Sequence, residues 1–140
     1  MKNIQEIIDF LNKVGVFYVG TVDEEGKPHV RPFSFVMEWE GKLAFITNNQ
    51  KEVYKQLNAN PHADICAFSA DNIWIRISGK VKLFQSVEAN KKALEIMPGL
   101  KDLYGDEHNS TLVHFYYEDG EVAFWSFESA NRPFKVIPLK

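Results

Sequence analysis

The chain holds one cysteine, Cys66, so no internal disulfide can form. A reducing, cytoplasmic setting is the natural expectation. No basic run is longer than Lys91-Lys92, and the net charge is −3. Nucleic-acid binders normally carry a basic stripe, so no nucleic-acid partner is expected. The histidines and the cysteine show no metal-ligand spacing, so no metal is expected. Long apolar runs are missing too. The most apolar early segment, Val14 to Val22, contains Gly15, Gly20 and Thr21 and is far short of the roughly 20 residues a membrane span needs. No basic region followed by a long apolar stretch opens the chain, so neither a membrane anchor nor a signal peptide is expected.

What is present is apolar and aromatic. At 140 residues the length suits a single domain over 1–140, and 45% apolar residues supply a core. Aromatics reach 14%, with eleven phenylalanines. Two accounts fit them: a β-rich core, because aromatics favour strands, or a lining for a flat aromatic ligand.

Ile4, Ile7, Ile8 and Leu11 recur at helical spacing. Asn3 with Glu6 resembles a capping box, and Gly15 suits the helix end. Val16 to Val22 suits a strand, and Asp23 to Gly26 a turn. Pro28 opens a second strand with His29, Arg31, Phe33 and Phe35 on one face. Pro32 lacks an N–H, so that strand is expected to be an edge or bulged. Glu40-Gly41 turns into a third strand, Leu43 to Asn48. Asn48 or Asn49 can cap a short helix with Val53, Tyr54 and Leu57. Ala63 to Ser69 is a fourth strand. From Ile73 to Leu83 the alternation predicts a long strand with one buried face, bent or closely approached at Gly79. Ser86 can cap a helix to about Met97, which Pro98-Gly99 ends, with a further turn over Leu100 to Tyr104. Glu118-Asp119-Gly120, between Thr111–Tyr117 and Val122–Phe127, reads as a hairpin turn. Phe134 to Ile137 is a last extended piece. This order predicts a mainly β fold: a six- to seven-stranded antiparallel barrel with short helices at its ends.

Candidate chemistry gathers at the ends of the second and third strands. Arg31, Thr47, Asn48 and Lys51 converge at one end of the sheet if those strands pair through Glu40-Gly41. With a helix N-terminus they would form a phosphate site. The same residues also fit solvated charges and an ordinary helix cap. His29 shares the face of Arg31 and either reaches such a pocket or stays exposed after its turn.

The stretch Gly26-Lys27-Pro28-His29-Val30-Arg31-Pro32, followed by Thr47-Asn48-Asn49-Gln50-Lys51, resembles the pyridoxamine 5′-phosphate oxidase-like FMN-binding split barrels. Trp74-Ile75-Arg76-Ile77-Ser78-Gly79 is similar to the family's long strand. The resemblance runs over nearly the whole chain in element order. It implies a split, Greek-key barrel holding FMN at a homodimer interface. Arg31, Pro32 and Phe33 would run beside the flavin ring and ribityl chain, with Arg31 helping to hold the phosphate. Thr47, Asn48 and Lys51 would serve the phosphate or ribityl end, and Trp74 would approach from the second subunit. Trp125 and Arg132 resemble the C-terminal site residues of the vitamin B6-forming oxidases.

Departures from that pattern narrow the expectation. A Ser-Arg-Lys run of the oxidases is shortened to Gln50-Lys51, which removes one phosphate-binding arginine; Arg76 or Arg132 could replace it. Phe35 and Val36 occupy the region of a substrate-binding lysine, and no Arg-x-His follows Trp125. Pyridoxamine phosphate is therefore not the expected substrate. The chain is more similar to the small nitroimidazole-reductase-like members. The expectation is an FMN-dependent oxidoreductase acting on a small molecule, of nitro or quinone type, with no residue singled out as catalytic. A flavin carrier or sensor without turnover is the alternative, and haem or a deazaflavin is an alternative ligand. A proline-marked edge that needs covering also points to a homodimer.

Overall fold

The computed structural model describes residues 2–129 and 131–139. Helix α1 (Lys2–Val14) turns Ile4, Ile7, Ile8 and Leu11 inward, and all four are buried. Each such side chain contributes roughly 1.5–3 kcal/mol when fully removed from water. Asn3 lies inside this helix, so it is not its cap.

The sheet comprises β1 (Phe17–Val22), β2 (Pro28–Phe33), β3 (Met37–Trp39), β4 (Lys42–Asn48), β5 (His62–Phe68), β6 (Ile73–Phe84), β7 (Leu112–Ser126) and β8 (Lys135–Leu139). The neighbouring strands follow the path β2-β1-β5-β6-β7-β4-β3, and β8 pairs with β7. Every pairing is antiparallel. Short helices fill the connections: α2 (Glu52–Ala59), α3 (Val87–Ile96) and α4 (Lys101–Tyr104). Ser86 caps α3 as its sequence indicates, accepting from the Ala89 N–H at 3.1 Å. No helix among the described residues is long and apolar enough to cross a membrane.

Two expectations are corrected here. Glu118-Asp119-Gly120 is no hairpin turn; it lies inside the single strand β7. Lys80 pairs with Asp119 and Val81 with Tyr117, so Glu118 is an extra residue that bends the strand as a bulge. Gly79 and Gly120 face each other across β6 and β7. A Cβ on Gly79 would stand 2.7 Å from the Gly120 Cα and collide with the Asp119 carbonyl. Only two glycines allow this approach, and the sheet coils sharply there. Beyond the bend, the far edge of β7 leaves β4 and takes up β8.

The second correction concerns the strand bearing Arg31. It ends at Phe33, and a separate short strand, β3, makes the Glu40-Gly41 hairpin with β4. Phe35, Val36 and Met37 are all buried in succession, which breaks the period of two. Strands β2 and β3 stand at opposite ends of the strand path. Pro32 lies on β2, an edge strand, as its missing N–H requires.

Strand β4 is buried on both faces, which its unbroken run Leu43-Ala44-Phe45-Ile46 reflects. Leu43 and Phe45 join the core under α1, while Ala44 and Ile46 join a second core under α3. His114 lies in β7, fully buried, with its ring 5.2 Å from that of Phe84. Its Nε2 is 2.6 Å from Asn90 Oδ1, and Asn90 Nδ2 donates to the Glu107 carbonyl at 2.9 Å. The Asn90 oxygen therefore accepts, Nε2 carries the proton, and Nδ1 has no partner. A second proton would be buried without an acceptor. Burial pushes the His114 pKa from 6.5 down to about 4. The unfolded imidazole takes up its proton first, so stability is full above about pH 6.5 and is lost as pH falls toward 4. The loss through this residue should be about 2 kcal/mol at pH 5. Urea unfolding of wild type and His114→Gln at pH 7 and pH 5 checks this; the variant should lack that part of the decline.

Candidate functional site at the barrel seam

A cleft of about 330 Å³ opens where β2 and the end of β4 meet. Arg31, Pro32, Phe33, Thr47 and Lys51 all line it. They converge because the coiled sheet brings its two ends together, not because β2 and β4 form a hairpin. The opposite wall comes from Met97, Leu100, Leu103 and Tyr104, on the 3₁₀ turn Pro98–Leu100 and its flanks. Sequence reading passed over this wall. A turn after Pro98-Gly99 was legible, but its packing across the barrel end was not.

Arg31 sits on the inner face of β2, opposite Val19. Its Nη1 donates to Thr21 Oγ1 at 2.7 Å and to the Val19 carbonyl at 3.3 Å, and Nη2 donates to Gln56 Oε1 at 3.1 Å. All of these acceptors are neutral. Among the described residues no carboxylate lies within ion-pair distance of Arg31 or of Lys51. Burial lowers the Arg31 pKa, yet a guanidinium stays charged in proteins. A half-buried cation is thus fixed in place without a counter-ion.

Thr47 is 2% exposed, and its Oγ1 is buried with no hydrogen-bond partner. Leaving a hydroxyl unpaired in the interior costs free energy, so such groups are rare and point to a missing partner. Helix α2 begins just beyond. Neither Asn48 nor Asn49 caps it; Lys51 occupies the cap position with no side-chain hydrogen bond. The first turn of α2 therefore presents backbone N–H groups without intrahelical or side-chain acceptors. Asn48 instead closes the turn before the helix, its Oδ1 accepting from the Gln50 N–H at 3.0 Å. Cation, hydroxyl and helix start together suit an oxyanion.

The remaining candidates lie elsewhere. Trp74 and Trp125 pair across β6 and β7 and stack with centroids 6.2 Å apart and planes at 5°. They belong to the outer face of the sheet, beside Phe68 and Phe127, and do not line the cleft. Arg132 is exposed between β7 and β8 and is also outside the cleft. Arg76 is held by Asp64 at 3.1 Å on the outer face, so it does not supply the second arginine of the cleft. His29 is exposed and pairs with Asp23 at 2.9 Å. That contact, with the Lys27 N–H, holds the Asp23 pKa below its ordinary value. Among the described residues no group of His, Cys, Asp and Glu is placed to hold a metal.

Strand order, coiled long strands and open seam define an antiparallel split barrel with an anion-suited cleft in the seam. The chain belongs to the pyridoxamine 5′-phosphate oxidase family, whose sequence profile matches residues 4–126. A NimC/NimA family protein of Clostridium acetobutylicum is 34% identical, with a TM-score of 0.87 over 98% of this chain and 94% of that one. General Stress Protein 26 of Bacillus anthracis shares the fold at 13% identity and TM-score 0.75, covering 99% of this chain and 100% of that one. A pyridoxamine 5′-phosphate oxidase-related, FMN binding protein of Nostoc punctiforme does so at 14% identity and TM-score 0.63, covering 99% and 95%. No protein of curated function matches the chain.

Since the Thr47 hydroxyl makes no bond within the fold, Thr47→Val should leave the unfolding free energy of the ligand-free protein unchanged or raise it by up to about 1 kcal/mol. Urea denaturation measures this; a clear loss of stability would give the hydroxyl a structural role instead.

Proposed function

We propose that this protein is a cytoplasmic, FMN-dependent oxidoreductase that acts on a small molecule from a homodimer. The observation that carries the cofactor assignment is the buried, unpartnered Thr47 hydroxyl in the same cleft as a guanidinium that, among the described residues, no carboxylate neutralises. A dianionic phosphate answers both. Arg31 and Lys51 would hold it by charge, Thr47 by donating its hydroxyl proton, and the start of α2 by backbone N–H groups. Pro32 and Phe33 would support the ribityl chain and ring from the β2 side. Asn48 would act from the turn, since its oxygen is already taken by the Gln50 N–H.

The residues lining the cleft include no histidine and no carboxylate. When bound, flavin supplies the transfer of a hydride or of single electrons. The chain's own residues bind and orient, and Met97 and Leu100 give that side of the cleft an apolar lining. An apolar acceptor of nitro or quinone type suits such a wall.

The homodimer reading is supported by the outer face of the sheet. Phe68 and Phe127, 51% and 66% exposed, pack against Trp74 of the Trp74–Trp125 stack, and Tyr18 and Val30, also exposed, lie further along on β1 and β2. Apolar surface of that extent marks an interface, and a second copy would bring Trp74 and Trp125 toward its cleft.

Purified protein should show flavin bands near about 370 and 450 nm and release FMN on heating. Arg31→Ala and Lys51→Ala should each weaken FMN binding by about 1.5–3 kcal/mol, read by fluorescence titration. Unchanged retention in the double variant would remove both residues from the site; a haem or deazaflavin spectrum would replace the cofactor. Bound FMN without turnover of any nitro, quinone or ferric acceptor would leave a carrier or sensor. On a sizing column the protein should elute at twice the chain mass, and a monomer at micromolar concentration would defeat the dimer.

A further inference from the structure

We propose that Tyr104 is a positioning residue for the anion-binding turn, acting through Asn48. The inference rests on the reading of the cleft as an FMN site and adds a residue that the family-like motifs do not include. Tyr104 ends α4 and lines the cleft from the wall opposite β2. Its hydroxyl accepts a hydrogen bond from Asn48 Nδ2 at 3.0 Å, across 56 positions of sequence. The other end of the same amide, Oδ1, accepts from the Gln50 N–H at 3.0 Å. One side chain therefore ties the wall to the turn that carries Thr47 and Lys51 on its two sides.

A second connection holds Tyr104 itself. Asn109 Nδ2 donates to the Tyr104 carbonyl at 2.7 Å. Asn109 Oδ1 accepts from the Thr111 N–H at 2.8 Å and the Leu112 N–H at 3.0 Å. The Thr111 carbonyl in turn accepts from the Asn49 N–H at 2.9 Å. Hydrogen bonds thus run in a closed ring from Asn48 to Tyr104, through Asn109 and Thr111 to Asn49, next to Asn48. The turn needs this support because no side chain caps α2 and both Gln50 and Lys51 are exposed. Without the phenol hydroxyl, the Asn48 amide loses its hydrogen bond to the wall. The donors of the turn would then have to be ordered by the ligand, and that cost appears in affinity.

The test is Tyr104→Phe, which keeps the ring and deletes the hydroxyl. FMN affinity and release rate are read by flavin fluorescence, and stability by urea midpoint. The dissociation constant should rise roughly three- to tenfold, the size of one lost neutral hydrogen bond, with faster release and only a small fall in the midpoint. Asn48→Ala should weaken FMN as well, and the Asn48→Ala/Tyr104→Phe protein should bind no more weakly than Asn48→Ala alone. Unchanged affinity in Tyr104→Phe, or additive losses in the double variant, would each overturn the proposal while leaving the FMN site standing. Failure of the wild type to bind FMN would instead remove the site reading, and this inference with it.

Discussion

The close approach of Gly79 and Gly120 is the constraint on which the rest of the structure depends. Two backbones without side chains pack where any Cβ would collide, and the adjacent bulge at Glu118 adds twist. Strands β6 and β7 are therefore long and bent, and β7 serves β4 before the bend and β8 after it. A flatter sheet would leave β2 and β4 far apart at separate positions along the strand path. Coiling brings them to one seam, and the seam holds the cleft.

Electrostatics then give the seam its character. A cation inside a fold is ordinarily matched by a carboxylate. Among the described residues Arg31 is matched only by a hydroxyl, an amide oxygen and backbone carbonyls, which fix its direction without neutralising it. Thr21 and Gln56, both buried, thus aim the guanidinium from behind. Such a site is ordered in advance of its ligand, so little reorganisation is needed on binding. The uncapped start of α2 and the unpartnered Thr47 hydroxyl add to the same polarity.

The wall made by α3, the 3₁₀ turn and α4 gives the cleft its apolar side. Leu100 is buried in the second core, whereas Leu103 is 75% exposed at the cleft rim. The segment is anchored at both ends. Lys92 on α3 bonds to the Glu38 carbonyl and lies over the Trp39 ring, and Asn109 closes the turn behind Tyr104. It holds Tyr104 against the strand end, which links a polar turn and an apolar wall.

Much of this was written into local chemistry. Apolar spacing marked α1, alternation marked β6, Pro32 marked an edge, and Ser86 marked the start of α3, because each depends on the period or hydrogen bonding of a few neighbouring residues. Gly79 signalled a close approach, yet its partner was invisible: Gly120 sits among turn-forming residues and reads as a hairpin until the opposite strand is known. Arg31, Thr47 and Lys51 were identifiable as candidates from residue type and resemblance, but the reason they meet was not. A sequence by itself determines what repeats over a helical turn or a strand pair, together with the charges and hydroxyls available for use. Tertiary structure alone decided that the two ends of the sheet close on each other, that Asn48 turns toward Tyr104 and away from capping α2, and that Trp74 and Trp125 face outward. Those outcomes depend on contacts between residues tens of positions apart, and their free energy exists only once the chain has coiled.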